Sequence, residues 1–200
     1  MNAFDALRDF FEPFSFLSAA TVEELLSKGQ LKELKKGELL LQEGQVSNKL
    51  AFIHKGVLRS IYLNSKGEEI TYCFVFPNRL MTAYSSFISG KKSVESLEAL
   101  TEVSFIEFKK SDLEAMQAKY PEWEHFRRLT AEQQYMELEQ RIFQLQRETA
   151  EERYGYLLRH YPEFLQFIPL QYLASYLGIT PRHLSRIRAG WQEEGVLTGK

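Results

Sequence analysis

The spacing of apolar positions changes twice along this 200-residue chain. Over residues 4–28 it suits short helices: Pro13 interrupts, Thr21 is placed to cap the next turn, Glu23 and Glu24 follow it, and Gly29 closes the segment. Short runs rich in β-branched and aromatic residues then take over, at 38–42, 50–54, 57–63, 69–76, 94–100 and 102–108. Gly37, Gly44, Gly56, Gly67, Pro77 and Gly90 separate them. Turn signals about 8–12 residues apart predict an antiparallel sandwich or barrel. The runs Val103-Ser-Phe105-Ile-Glu-Phe108 and Ile70-Thr-Tyr72-Cys-Phe74-Val-Phe76 are read as strands with one buried face.

After Lys110 the period becomes helical. Ser111 and Asp112 are placed to cap a short helix ending at Lys119, and Tyr120-Pro121 breaks the chain. Residues 122–148 then contain no glycine or proline and predict one helix about 40 Å long. Tyr135, Leu138, Ile142 and Leu145 form one apolar line on it; Leu129, Met136 and Phe143, seven apart, form a second. One line can cover the β domain while the other meets a partner helix, and the plainer alternative packs both within one subunit. So long a helix is hard to cover with a small core, which favours a dimer helix. Further helices are predicted at 151–161, at 169–177 and from Thr180-Pro181 onward.

Composition narrows the function classes. Hydrophobic residues make up 44% and charged residues 26%, ordinary for a folded globular protein. The single cysteine, Cys73, excludes an intramolecular disulfide framework or a Cys-rich zinc site and suits a reducing cytoplasm. Asp5, Arg8, Asp9 and Glu12 interrupt the first twenty residues, unlike a signal peptide, and no stretch approaches the roughly 18 apolar residues of a membrane span. Of the four histidines, only His54 falls in the β region, where it is expected at the surface of a strand end; a metalloenzyme of the jelly-roll type needs several there. Cys73 is expected to be a buried thiol, and the 148–152 segment a solvated helix face and hinge. No catalytic triad or phosphate-cradling loop stands out, so no enzyme, metal or cofactor is expected. The net charge of −2 is unevenly distributed: residues 164–192 carry no acid but hold Arg182, Arg186 and Arg188. A local basic patch on an acidic chain points to one polyanion-facing surface.

That patch lies on the most informative constellation in the chain. Leu173 and Leu177 are one turn apart on a first helix, with Ala174 small enough for a close crossing and Gly178 free to make a tight turn. Thr180 supplies a capping oxygen, Pro181 occupies the first helical position, and Leu184 and Ile187 face back to the same core. This is the pattern of a helix-turn-helix, leaving Arg182, His183, Ser185 and Arg186 on the outer face of the second helix, where arginine can read guanine edges in a major groove. The plain alternative is an αα-hairpin with a solvated basic face.

A β barrel, a long helix and a helix-turn-helix, in that order, resemble the cyclic-AMP receptor protein (Crp/Fnr) family of bacterial transcription regulators over nearly the whole chain. The resemblance rests also on Gly37-Glu38, Glu43-Gly44-Gln45, the stretch from Phe52 to Arg59, and Lys66-Gly67-Glu68-Glu69. It implies an α+β protein: an N-terminal jelly-roll effector domain of the cyclic-nucleotide-binding type (1–121), a dimerisation helix (122–148) and a C-terminal winged-type helix-turn-helix domain (149–200). It implies a cytoplasmic, homodimeric transcription regulator with double-stranded DNA, RNA polymerase and a small-molecule effector as partners, no membrane, and DNA contacts at Thr180, Arg182 and Arg186; the outward-facing His183 and Ser185 and the basic Arg188 complete the expected DNA-binding set. Pro181 stands where relatives often open the recognition helix with arginine, and the wing is curtailed to the last six residues, Gly195 onward.

The ligand segment departs from the family. Members that bind cyclic nucleotides carry a Gly-Glu pair for the ribose and an Arg followed by a small hydroxyl residue for the phosphate; the stretch between Pro77 and Leu97 has neither. Lys91, Lys92 and Ser93 could hold an anion only as point charges, lacking the arginine fork, or form a solvated hairpin. Tyr84, Ser85 and Ser86 could line a pocket for a different small molecule. The expectation is a dimeric DNA-binding regulator that does not bind cyclic AMP; the alternative is a ligand-binding or protein-interaction module without DNA binding.

Overall fold

The computed structural model describes residues 1–162 and 167–193, the side chains of 192 and 193 excepted. Two helices lead: α1 (Ala3–Phe11), closed at its start by an Asn2–Asp5 capping box, and α2 (Ala19–Lys28). Ser18, rather than Thr21, caps α2: its hydroxyl accepts the Thr21 N–H, and Thr21 is buried in the first turn. The helix starts three residues earlier than expected because the Ser18 and Thr21 hydroxyls both donate to Glu122, at 2.9 and 2.5 Å. Those bonds, Thr21's first, hold the Glu122 carboxyl below the usual carboxylate range.

Eight strands follow: β1 (Gln30–Leu34), β2 (Leu39–Leu41), β3 (Lys49–Lys55), β4 (Leu58–Leu63), β5 (Glu69–Val75), β6 (Arg79–Met81), β7 (Ser96–Ala99) and β8 (Val103–Lys109). They form two four-stranded antiparallel sheets, in the orders β1-β8-β3-β6 and β2-β7-β4-β5, a jelly roll. A short helix, α3 (Tyr84–Ser89), lies between β6 and β7 and ends at Gly90. Of these, β1, β6 and α3 carry weak sequence signals: β1 alternates charges on an exposed edge, β6 has three residues, and α3 has six with no side-chain cap.

The alternation of β8 and β3 resolves two cores. Ala51, Ile53, Val103 and Phe105 face the second sheet with Leu58, Leu97 and Ala99, whereas Phe52, Ile106 and Phe108 face the helices. The β8 run expected to have one buried face thus has two, because α1, α2, α4 (Lys110–Lys119) and the start of α5 (Pro121–Arg147) cover the outer side of this sheet. Lys109, without a side-chain bond, occupies the cap position of α4 in place of Ser111 or Asp112, because the helix continues directly from β8. Trp123 stacks on Phe126 at 5.1 Å, and both pack against Phe11, rooting α5 in this aromatic core. Burying side chains of this size stabilises by about 1.5–3 kcal/mol each. His54 is half-buried rather than a surface residue, its Nδ1 has no partner among the described residues, and burial pushes its pKa down. Cys73 is only half-buried.

The chain divides into two compact units, 1–133 and 134–200, the break falling inside α5. In the second unit, α5 gives way to α6 (Ala150–His160), α7 (Leu170–Leu177) and α8 (Pro181–Glu193). A Thr149–Glu152 capping box starts α6, and the Thr149 N–H holds the Glu152 carboxyl low, so part of the 148–152 segment has a definite structural task. On α5, Trp123 and Phe126 are buried, while Tyr135, Met136, Leu138, Ile142, Phe143 and Leu145 are all at least 42% exposed. Both apolar lines expected on this helix are therefore open over its second half. The wing residues, 195–200, lie outside the described residues.

Candidate nucleic-acid interface

Leu173, Ala174 and Leu177 of α7 and Leu184 and Ile187 of α8 are all buried, forming the small core that the spacing predicts. Gly178 sits at φ +70°, the left-handed conformation in which a side chain would be strained, and the next N–H, of Ile179, returns to Ala174 O at 3.0 Å. Thr180 Oγ1 then accepts the His183 N–H at 3.2 Å, and Leu184 N–H donates to Thr180 O at 3.0 Å. Pro181 opens the helix, where its missing N–H removes no bond.

Two arginines fix this hairpin to its surroundings. Arg153 of α6 donates to Leu177 O at 3.2 Å and also to Glu148 O, bridging the carboxyl end of α7 and the end of α5. Arg141 of α5 donates to Tyr176 O, its guanidinium lying 4.0 Å over the Tyr176 ring. Cationic groups at helix C-termini satisfy orphan carbonyls and oppose the helix dipole. Neither arginine stands out in the sequence; only the packing of α5, α6 and α7 gives them these partners.

The outer face of α8 presents Arg182, His183, Ser185 and Arg186, all exposed, with Thr180 exposed at its start. Arg182 and Arg186, one turn apart, make no hydrogen bond or ion pair with any described residue. The first turn carries no acid, so the helix N-terminus and these arginines together favour an anion. Ser185 Oγ donates to Pro181 O at 3.0 Å, and His183 Nε2 lies 3.9 Å from a Glu151 carboxylate oxygen. Arg188 is turned away: half-buried, its Nε donates to Tyr154 Oη at 3.1 Å.

The jelly roll treats its six candidate pocket residues differently. Tyr84, Ser85, Lys91 and Lys92 are exposed. Ser86 is buried, donating to Lys91 O at 2.5 Å and accepting Ser47 N–H at 2.9 Å; Ser93 is buried, donating to Glu95 O at 2.8 Å and accepting the Glu95 N–H at 3.1 Å. Their hydroxyls shape the loop. A small cleft open to solvent is lined by residues including Leu40, Ser47, Lys49, Met81, Thr82 and Glu107, and by none of the six. Sequence reading passed over Glu95, whose carboxylate reaches Ser60 on β4 and whose pKa burial pushes up, the Ser60 bond opposing. Among the described residues, no group of three or more His, Cys, Asp or Glu could hold a metal ion.

A jelly roll, a long helix and a capped helix-turn-helix define the class of two-part proteins in which a β domain is followed by a helix-turn-helix unit. Residues 31–120 match the cyclic nucleotide-binding domain family. No curated protein matches the chain by sequence. Among solved structures it is similar to FixK2 from Bradyrhizobium japonicum (TM-score 0.75, 20% identity, covering 86% of this chain and 89% of that one). It is also similar to the c-di-GMP-responsive global regulator CLP of Xanthomonas campestris (0.71, 15%, 92% and 96%) and to a protein of Eubacterium rectale assigned to the Crp/Fnr regulators (0.72, 16%, 94% and 89%). The chain shares the fold of these structures, and the match to the cyclic nucleotide-binding domain family is confined to its residues 31–120.

Proposed function

We propose that this protein is a homodimeric, sequence-specific DNA-binding transcription regulator whose jelly roll does not respond to cyclic AMP. The observation that carries it is the outer face of α8: a side-chain-capped helix presenting two arginines one turn apart, with no acceptor among the described residues. An αα-hairpin needs no such face to fold, whereas a helix entering a major groove does. The open apolar lines of α5, from Tyr135 to Leu145, supply a surface for a second copy, and a two-fold dimer places two recognition helices about 34 Å apart, suiting a roughly palindromic site. On this reading the partners are DNA, a second copy, RNA polymerase at the promoter and a small-molecule effector, and the protein acts in the cytoplasm; no helix among the described residues is long and apolar enough to cross a membrane.

Titrating the purified protein against its own upstream DNA and a scrambled duplex at fixed salt tests DNA recognition, with tighter binding to the upstream duplex expected. Equal affinity for both overturns it. Light scattering is expected to give about twice the 23.4 kDa chain mass, and a concentration-independent monomer overturns the dimer.

A further inference from the structure

Arg188 lies two residues from Arg186 and four from Leu184, on the edge of the buried face of α8 rather than on its outer face. Its guanidinium Nε donates at 3.1 Å to the hydroxyl of Tyr154, a side chain that is itself fully buried. Trp191, one turn further, meets the Tyr154 ring edge-on at 6.2 Å and 90°. The indole also lies over Gly155: a Cβ there would come within 2.7 Å of the Trp191 ring. Gly155 is unfavourable within a helix by roughly 1 kcal/mol against alanine, so its place in the middle of α6 fits a requirement for close approach.

The geometry points to Arg188 as a positioning residue: with Tyr154, Gly155 and Trp191 it sets the roll of the recognition helix against α6, and so aims Arg182 and Arg186 without touching DNA itself. A helix held only by Leu184 and Ile187 rests on apolar contacts, which tolerate sliding; a directional hydrogen bond to a buried phenol, followed by an indole on a glycine, fixes rotation about the helix axis. Specificity depends on that rotation because a bidentate contact to a base edge needs both nitrogens in line, whereas phosphate contacts tolerate displacement. This inference rests on the DNA-binding reading proposed above.

The test compares Tyr154→Phe, Arg188→Ala and the double variant on the upstream duplex and on its scramble, across a salt series. Tyr154→Phe removes one hydroxyl and keeps the ring. It is expected to weaken the specific complex about three- to tenfold, leave scrambled-DNA affinity and the salt slope unchanged, and make Arg188→Ala nearly silent in its background. Gly155→Ala, which displaces the indole instead, is expected to lower the specific-to-scrambled ratio in the same direction, with thermal unfolding and helical circular dichroism confirming a folded unit. If Arg188→Ala lowers the salt slope by about one and weakens both duplexes alike, Arg188 is a phosphate contact and the inference is overturned. If the wild type discriminates and Tyr154→Phe discriminates equally well, the positioning role alone fails. If the wild type does not discriminate, the regulator reading fails and takes this role with it.

Discussion

On α8, Arg182 and Arg186 extend from a helix whose start is already capped, and no described residue accepts their hydrogen bonds; on the loop after α3, Ser86 and Ser93 spend their hydroxyls on neighbouring backbone, and Lys91 and Lys92 stand in solvent. Both segments look polar and basic in sequence. The difference is whether the polar groups extend outward from the element or are consumed in holding their own loop. On the reading proposed above, α8 is rigid behind, where Leu184 and Ile187 are buried, and open in front, where Arg182 and Arg186 have no acceptor among the described residues. On the loop after α3 the hydroxyls are spent within the loop, and the exposed Lys91 and Lys92 are point charges without the arginine fork.

The largest effect that could break this contrast is a tight cyclic-AMP complex. With no Gly-Glu pair and no arginine followed by a small hydroxyl residue between Pro77 and Leu97, that segment offers none of the charge-assisted bonds, worth about 1.5–3 kcal/mol each, that hold a cyclic nucleotide, so calorimetry is expected to show binding weaker by orders of magnitude than a micromolar complex. A micromolar dissociation constant would show that the loop converges on a ligand after all. Next in size is Leu184→Ala, which removes the fully buried support behind α8. It is expected to destabilise by about 2–5 kcal/mol in urea unfolding, while an exposed-face change such as Arg182→Ala leaves stability within about 0.5 kcal/mol.

Arg186→Ala and Thr180→Ala sharpen the contrast within α8 itself. Loss of a base-reading arginine is expected to cost about 1–3 kcal/mol on the specific duplex and little on the scramble. Loss of the Thr180 cap is expected to weaken both duplexes comparably and to destabilise the helix by about 1 kcal/mol. Equal weakening of both duplexes by Arg186→Ala would make that residue a backbone contact and move base reading to Arg182 or His183.

The smallest effect concerns Glu95, the acid that the jelly roll keeps partly desolvated. Burial raises its folded pKa above the unfolded value, so its protonated form favours the fold, and that stabilisation is lost as pH rises through the folded pKa. Glu95→Gln is therefore expected to be more stable than wild type at neutral pH, the gain shrinking to nothing as pH falls to the ordinary carboxylate range. Urea midpoints of both proteins across that interval measure it. A pH-independent difference would mean that Glu95 does not titrate with folding.

Much of this organisation is local and therefore legible without coordinates. The helix-turn-helix could be read because its determinants lie within fifteen residues: Leu173, Ala174 and Leu177 on one turn spacing, Gly178 for a positive φ, Thr180 and Pro181 for a helix start, Leu184 and Ile187 for the return. The long helix and most strands were legible for the same reason, since period and turn chemistry are properties of short segments. Tertiary contact decided what spacing could not. It turned the β8 run into a strand buried on both faces, moved the cap of α2 from Thr21 to Ser18 through a carboxylate about a hundred residues away, and placed Arg153 and Arg141 at the carboxyl end of α7. It also turned Arg188 inward to Tyr154 while Arg186, two residues earlier, faces out. Sequence spacing specifies which residues share a side of a helix; only the elements packed against that helix decide which polar side chains find a partner and which are left to bind something else.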